Sequence, residues 1–277
     1  IKPMFKSYAK GKTPNPDSLC NNIIKFPYLW KEAKRQGCNL ISTGHYIKKV
    51  KNGAKYYLKL PKDKSKDQSY FLYGLTQKDL AHTLFPIGDY TKIEVRKIAK
   101  ASHLANWNRH GTRGLCFVGN INMKSFLKQK IKNKPGVIKN PENQVVGYHN
   151  GIMFYTIGER LKENESISIN KEYRNKIKSK LYIASKNIKK NEITVAQENH
   201  PITFKKQFKI KNINWLSGKP KQKEILVRIR HLGQLNRAKL DKNTITLNTP
   251  LKGLASGQSA VIYNKQRIML GGGEINY

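Results

Sequence analysis

The sequence predicts an α/β N-terminal domain, a small central domain and an all-β C-terminal domain. Helical and strand patterns alternate in the first third of the chain, and two short strand-like runs occupy the middle. The last third contains short strands at regular spacing, which is typical of a sandwich or a barrel. We place the three domains at residues 1–105, 106–165 and 166–277.

Length and composition exclude a wholly disordered chain. The chain has 277 residues, of which 38% are hydrophobic, so it can form a core. It carries 54 Lys and Arg against 17 Asp and Glu, which gives a net charge of +37. This excess indicates a polyanionic partner, although a compositional bias toward Lys, Asn and Ile would also produce basic runs. No run approaches the roughly 20 apolar residues of a membrane-spanning helix, so we expect a cytoplasmic protein.

The elements of the α/β domain follow from local patterns. Pro27 is compatible with the first turn of a helix, and residues 40–43 predict a buried strand. Gly44 follows that strand directly, where open α/β sheets place their ligand loops. Residues 46–50 and 55–60, joined through an Asn-Gly turn, predict a β-hairpin.

Two further helices begin with the same capping pattern. Thr76 precedes Asp79, and Thr91 precedes Glu94, by the three residues that allow a hydroxyl and a carboxylate to satisfy backbone N–H groups. The second of these helices carries an apolar stripe that we expect to face the core, composed of Val95, Ile98, Ala99 and Leu104.

The middle and end of the chain are rich in strand patterns. Residues 144–148 and 152–157 predict two strands of the central domain. The run of short strands toward the C-terminus covers residues 181–184, 193–197, 208–215, 225–231, 238–240, 244–247, 259–263 and 267–270.

The most informative stretch for chemistry is residues 13–21, with the sequence TPNPDSLCN. Two prolines favour a rigid turn that projects Asn15, Asp17 and Cys20 in defined directions. Asp17 is placed to cap a short helical turn, where exposed N–H groups would favour the thiolate of Cys20. The alternative is a surface turn with a buried cysteine.

The other two cysteines differ in their neighbours. Cys116 lies in a glycine-flanked apolar run after His110 and Arg113, whose positive charge would favour a thiolate, but a small buried hydrophobe is the commoner role for a lone cysteine. Cys38 has no charged neighbour, and we interpret it as structural. The chain has no CxxC pair and no zinc-spaced Cys/His cluster, so we expect no metal site.

Several polar residues suit contacts with RNA. Lys66 and Gln68 lie in a loop compatible with phosphate and base contacts, although a solvated loop is the default expectation. Arg228 and Arg230 alternate, so we expect them to share one face of a strand, which would form a basic platform. The sequence around Gln258 is compatible with a simple turn before a strand.

These residues together resemble the tRNA-specific 2-thiouridylases. The resemblance runs in order across nearly the whole chain and rests on the segments TPNPD with CN (13–21), TGHY (43–46), KDQSYFL (66–72), LFPIG (84–88), GLCF (114–117), YTIG (155–158), VAQ (195–197), NWL (214–216) and GQSAV (257–261).

The resemblance implies an ATP-pyrophosphatase-type α/β domain, a small central domain and a C-terminal β-barrel. It also implies a reaction in which sulfur replaces O2 of the wobble uridine of tRNA. ATP adenylates the C2 oxygen, with Mg²⁺ as the counter-ion of its phosphates, and a cysteine persulfide then delivers sulfur. A persulfide sulfur-donor protein would be a second partner beside tRNA.

The resemblance also implies roles for individual residues. Cys116 would carry the persulfide, Cys20 would be its nucleophilic partner, and a disulfide between them would be the oxidised product. Asp17 is the implied acid or base, and Gly44 would face ATP. The residues implied to contact tRNA are Asn15, Pro16, Asp17, His45, Lys66, Asp67, Gln68, Arg230, His231 and Gln258.

The sequence departs from the family pattern in two places. It contains no Gly/Ser-rich phosphate-binding loop of the kind that opens the family pattern, and Gly111-Thr112 replaces the usual Asp-Ser pair before Cys116. The chain is therefore expected to be a fragment, the product of a degraded or split gene, or a piece that depends on a separately encoded ATP-binding segment. The alternative functions are a non-catalytic basic tRNA- or RNA-binding remnant and, less in keeping with the missing CxxC, a thiol oxidoreductase.

Overall fold

The structure, a computed structural model, describes residues 1–109, 122–177 and 179–277. Its first part alternates helices and short strands, as predicted. The helices are α1 (Lys2–Ala9), α2 (Pro16–Cys20), α3 (Phe26–Arg35), α4 (Gln77–Ala81) and α5 (Lys92–Ala101). The strands are β1 (Ile41–Ser42), β2 (Lys48–Asn52), β3 (Lys55–Lys59) and β4 (Thr83–Leu84).

Short-range pairing in this part follows the sequence. Strands β2 and β3 form the predicted antiparallel hairpin. The predicted strand at residues 40–43 is shorter than expected, because only β1 pairs, in parallel with β4. The parallel pairing places the carboxyl ends of β1 and β4 at the same edge, and Gly44 lies there, exposed to solvent.

Both predicted capping boxes are confirmed, but the stripe on α5 is not buried. Each hydroxyl, of Thr76 and of Thr91, accepts a hydrogen bond from the backbone N–H three residues later, and the carboxylate of that residue accepts one in return. Helix α5 buries none of its side chains, and Ile98 is 49% exposed. The expectation that this stripe faces the core is therefore wrong for Ile98 and Leu104, which are exposed, whereas Val95 and Ala99 are half-buried.

The central part is built around one five-stranded sheet. Its helices are α6 (Met123–Lys128) and α7 (Lys171–Lys176), and its strands are β5 (Gly136–Lys139), β6 (Val145–His149), β7 (Ile167–Ile169), β8 (Leu181–Asn187) and β9 (Glu192–Gln197), in the order β7-β6-β5-β9-β8. Residues 152–154 form a 3₁₀ turn rather than the predicted strand.

This sheet changes the expected assignment of two strands. The sequence pattern predicts β8 and β9 as the first two of the C-terminal short strands. In the structure they belong to the central sheet, because β9 pairs in parallel with β5. The proposed boundary between residues 165 and 166 lies between strands of this one sheet.

The C-terminal part is a closed six-stranded antiparallel barrel in the order β10-β13-β12-β11-β14-β15. Closure leaves no strand edge open in this part. The strands are β10 (Phe204–Trp215), β11 (Glu224–Arg228), β12 (Asn236–Asp241), β13 (Thr244–Lys252), β14 (Ser259–Tyr263) and β15 (Met269–Asn276).

Three clusters of buried apolar side chains hold these parts together. One fills the barrel interior, and a second covers the central sheet, where Met4 and Tyr8 of α1 also pack. The third joins the α/β part to the outside of the barrel, because it combines Phe26 and Tyr70 with Tyr263 of β14. In the part of the chain that the structure describes, no helix is long and apolar enough to cross a membrane.

Candidate functional site

The predicted cysteine turn is a short helix with a defined start. Asn15 is the N-cap residue of α2, and its side-chain oxygen accepts a hydrogen bond from the N–H of Ser18 at 3.2 Å. Pro16 occupies the first turn, where its missing N–H costs nothing. Asp17, the predicted cap, lies inside the first turn, and the residue that caps the helix is Asn15. Cys20 is the last residue of α2 and is only 7% exposed.

His45 is the third residue after the end of β1. Its imidazole is buried and stacks on Phe26, with 5.6 Å between ring centroids, while Nδ1 is 3.0 Å from the hydroxyl of Thr43. Burial, with a smaller contribution from Lys25, lowers the pKa of His45 to about 4. The ring is therefore neutral at pH 7, and its contact with tRNA stays a prediction.

The polar loop at residues 66–68 contains one exposed and two anchored side chains. Lys66 is exposed, as an RNA contact requires. Asp67 is buried, and its carboxylate accepts a hydrogen bond from a guanidinium nitrogen of Arg228 at 2.6 Å and another from the N–H of Ser69. Gln68 accepts a hydrogen bond from the N–H of Tyr46 at 3.0 Å. Asp67 and Gln68 thus serve the loop's own structure, and their contacts with tRNA stay a prediction.

The expected basic strand face at Arg228 and Arg230 is wrong. Strand β11 ends at Arg228, whose side chain is buried against Asp67 and lies over the ring of Tyr263. Arg230 follows beyond the strand end and is exposed. The alternation rule applies only while the strand continues, so it does not place these two residues on one face.

His231 follows Arg230 beyond the end of β11 and is also exposed. Its ring lies 4.5 Å from that of Phe71, between ring centroids. Partial burial lowers the pKa of His231, while the negative charges of Asp67 and Asp17 oppose that shift. The structure therefore brings the first turn of α2, the 66–68 loop and the end of the barrel into one electrostatic environment.

Gln258 and Ser259 bind the cysteine turn rather than facing away from it. The side-chain amide of Gln258 donates to the carbonyl oxygen of Thr13 at 3.0 Å. The Asn15 amide donates to the hydroxyl of Ser259 at 3.3 Å. Sequence reasoning interpreted this segment as a simple turn. It missed Ser259, for which the sequence signal was only its place inside the GQSAV segment.

The structure describes two of the three cysteines, Cys20 and Cys38. Cys116 and the preceding Gly111-Thr112 lie outside the described residues, so the Cys20–Cys116 pairing stays a prediction. Cys38 is an exposed thiol beyond the end of α3. The interpretation of Cys38 as a structural cysteine is wrong, because its side chain is exposed to solvent.

The described residues offer no metal site, but they leave open space at Gly44. Across residues 1–109, 122–177 and 179–277, no group of His, Cys, Asp or Glu side chains could hold a metal ion. At Gly44, where the parallel strands end, a methyl group would meet the side chain of Ile87 at 4.0 Å among the described residues, so there is open space at this edge, and its contact with ATP stays a prediction. The sequence contains no glycine-rich loop for the phosphates of that nucleotide.

Family models match the three parts in the same order. Residues 1–120 match the tRNA methyl transferase HUP domain, residues 124–197 the tRNA methyl transferase PRC-barrel domain, and residues 205–275 the aminomethyltransferase β-barrel domain. The N-terminal part is thus a HUP-type α/β domain, followed by a PRC-barrel-like domain and a six-stranded barrel.

Whole-chain relatives agree with this order. The chain is 36% identical to tRNA-specific 2-thiouridylase MnmA 2 of Aliarcobacter butzleri, over 99% of this chain and 76% of the relative. It is 36% identical to tRNA-specific 2-thiouridylase MnmA of Nitrosomonas europaea (98% and 75%) and 39% identical to that of Blochmanniella floridana (98% and 74%). Similarity of this extent places the chain in the family of tRNA-specific 2-thiouridylases.

Proposed function

We propose that this chain is a tRNA sulfurtransferase that places sulfur at C2 of the wobble uridine of tRNA. The observation that carries the proposal is the match to proteins named tRNA-specific 2-thiouridylase over 97–99% of the chain. The Cys20 turn supports it, because this capped turn is hydrogen-bonded to the barrel at Ser259 and the barrel exposes Arg230 and His231 to solvent.

In the proposed chemistry Cys116 carries a persulfide supplied by a sulfur-donor protein. The thiolate of Cys20 attacks the inner sulfur of that persulfide, forms the Cys20–Cys116 disulfide and releases hydrosulfide. Hydrosulfide adds at C2 of the uridine, and the activated oxygen leaves. Two thiols of the donor system then reduce the disulfide and restore both cysteines.

ATP supplies the activation that turns the C2 oxygen into a leaving group. Gly44 is the described residue that we assign to the nucleotide, because it leaves room at the edge where parallel strands end. We assign no residue of this chain to the phosphates or to Mg²⁺.

The proposed tRNA contacts divide into two groups by exposure. Lys66, Arg230 and His231 are exposed and can meet RNA directly. The remaining residues act close to the target base or behind it, and they are Asn15, Pro16, Asp17, His45, Asp67, Gln68 and Gln258. Because its substrate is tRNA, we propose a cytoplasmic location.

Complementation tests the proposed reaction in a setting where cells supply ATP and sulfur donors. The chain is expressed together with the phosphate-loop segment of the host's own tRNA 2-thiouridylase, in a bacterium from which the intact enzyme has been deleted, and 2-thiouridine in digested tRNA is quantified by mass spectrometry. We expect the wild-type chain with this segment to restore the modification and Cys20→Ser to abolish it.

Cys38→Ser is the matched control, because it removes an exposed thiol that has no proposed role, and it should leave the modification unchanged. A wild-type chain that binds tRNA in the same cells without restoring 2-thiouridine would contradict the catalytic proposal and favour the RNA-binding remnant.

A further inference from the structure

Helix α2 is the first turn of a longer helical run, because residues Asn21–Lys25 continue it as a π-helix and α3 follows directly. Cys20 lies where the α-helical hydrogen bonding changes to π-helical. The location of Cys20 relative to the barrel therefore depends on the contacts that hold the start of this run.

The front end of α2 is bound to the barrel. The amide of Asn15 donates to the hydroxyl of Ser259, the first residue of β14, while the oxygen of the same amide caps the helix. Ser259 is 2% exposed, so this hydrogen bond forms away from water, where an unpaired polar group is costly.

The residues before α2 are bound to the same segment of the barrel. The N–H of Thr13 donates to the carbonyl of Ser256 at 2.9 Å, and the carbonyl of Thr13 accepts from the Gln258 amide. Between them lies Gly257, with φ of +96°, and a Cβ there would stand 2.8 Å from the Thr13 oxygen. A glycine is required for so close an approach of the two backbones.

The rear end of α2 is bound to the segment that follows the 66–68 loop. The amide of Asn21 donates to the carbonyl of Phe71 at 3.3 Å. Gly74 lies so close to the side chain of Asn22 that a Cβ at Gly74 would overlap it. This segment thus contacts the helical run at the residue directly after Cys20, where the π-helix Asn21–Lys25 begins.

That segment is itself attached to Ser259 and its neighbours. The hydroxyl of Tyr70 lies 2.9 Å from the carbonyl oxygen of Ser259 and 3.1 Å from that of Ile229, and its single proton is shared between the two. The Ser259 hydroxyl also donates to the hydroxyl of Tyr73 at 3.3 Å. Both ends of α2 are therefore tied to the start of β14, one directly and the other through Tyr70 and Tyr73.

We propose that Ser259 is a positioning residue that sets the location of the Cys20 helix relative to the barrel. Its hydroxyl links Asn15 to Tyr73, so one buried side chain ties the front of the helix to the segment behind it. The proposal deepens the proposed function and rests on it in one respect. If the barrel holds tRNA through Arg230 and His231, then Ser259 also sets the distance between Cys20 and the bound RNA.

Alkylation of the native protein tests the placement without tRNA, ATP or a sulfur donor. Because Cys20 is buried, iodoacetamide reaches it only when α2 moves, whereas exposed Cys38 reacts directly and serves as an internal reference. We expect Ser259→Ala to raise the rate at Cys20 about fivefold, the effect of losing one ordinary hydrogen bond, and to leave the rate at Cys38 unchanged. Peptide mass spectrometry over time gives both rates.

Two further variants separate positioning from general loosening. Asn15→Ser keeps a capping oxygen but is too short to reach Ser259, so it should raise the Cys20 rate, and the double variant should add little to either single change. Ser217→Ala removes a hydroxyl that lies 3.5 Å from the amide of Gln77, away from α2, and should change neither rate.

Two outcomes would overturn the proposal. One is an unchanged Cys20 rate in a Ser259→Ala protein whose unfolding midpoint matches that of the wild type. The other is a rise of equal size at Cys38. Neither outcome bears on whether the chain thiolates tRNA, so failure of the positioning proposal is distinguishable from failure of the proposed function. If both proposals hold, Ser259→Ala should lower kcat of thiolation and leave KM for tRNA near its wild-type value.

Discussion

His45 illustrates how burial changes a residue that the sequence marks for RNA binding. Its ring is enclosed by Phe26 on one face and by the edge of Phe85, with 6.4 Å between the centroids of His45 and Phe85. Desolvation is the main cause of its low pKa, and the nearby charge of Lys25 acts in the same direction. The residue therefore behaves as an aromatic component of the core at neutral pH.

The pKa of His45 predicts a loss of stability in mild acid. The folded-state pKa is about 4 and the ordinary value is 6.5, so the unfolded state binds more protons between these two pH values. Stability from this residue is complete above pH 6.5 and is lost as the pH falls toward 4. We expect urea unfolding to show that the wild type loses on the order of 2–3 kcal/mol more than His45→Gln between pH 7 and pH 4. Parallel curves for the two proteins would contradict the assigned pKa.

Individual residues divide into those that local sequence predicts and those that it cannot. The start of α2 is local, because the proline-flanked Asn15 carries its own capping signal within three residues. The burial of Asp67 is not local, because its partner Arg228 lies 161 residues away and only the packed fold brings them together. The family resemblance implied that Asp67 contacts tRNA, and the alternation with Arg230 predicted that Arg228 lies on a basic strand face.

The contact between the 66–68 loop and strand β11 rests on one buried ion pair. Asp67 and Arg228 have side chains 3% and 7% exposed, and Arg228 also donates to the hydroxyl of Ser69 at 3.2 Å. A buried pair adds little net stability, but removing one partner leaves an uncompensated charge in the core. Replacing only one of the two residues should therefore destabilise the protein more than replacing both.

A double-variant series tests this arrangement between elements. We expect Arg228→Met to lower the free energy of unfolding by about 3–5 kcal/mol, because Asp67 is left charged and buried. Adding Asp67→Asn should restore a large part of that loss. The measurement is urea denaturation of both single variants and the double variant. Additive losses would indicate that the two side chains do not interact in the folded protein.

Elements were predictable where their signals are short-range. The hairpin β2–β3 and both capping boxes depend on residues at most about ten positions apart, and all are confirmed. Helix α5 was predicted as a helix, but the burial of its apolar stripe depends on what packs against it, which its own period does not encode. The parallel pairing of β9 with β5 was missed for the same reason.

Exposed apolar residues are unevenly distributed over the whole molecule. Of the seventeen large apolar side chains that are exposed among the described residues, twelve lie within residues 1–109. The sheet in this part is a parallel pair of two-residue strands, whereas parallel sheets are normally covered on both faces. The central sheet and the barrel, by contrast, each enclose their own core.

The net charge of +37 predicts tRNA binding that weakens steeply with salt. Each phosphate neutralised by Lys or Arg releases condensed counter-ions, so log affinity should fall by roughly 0.7 to 0.9 per phosphate for each unit of log salt. Arg230 is exposed just beyond the end of strand β11, and we expect Arg230→Ala to reduce this slope by nearly one phosphate. Lys189→Ala removes an equally exposed charge from the turn between β8 and β9 and is the matched control, for which the slope should not change. Filter binding of tRNA over a salt series gives both slopes. Equal slopes for Arg230→Ala and the wild type would remove Arg230 from the RNA surface and leave only the diffuse charge of the chain to account for binding.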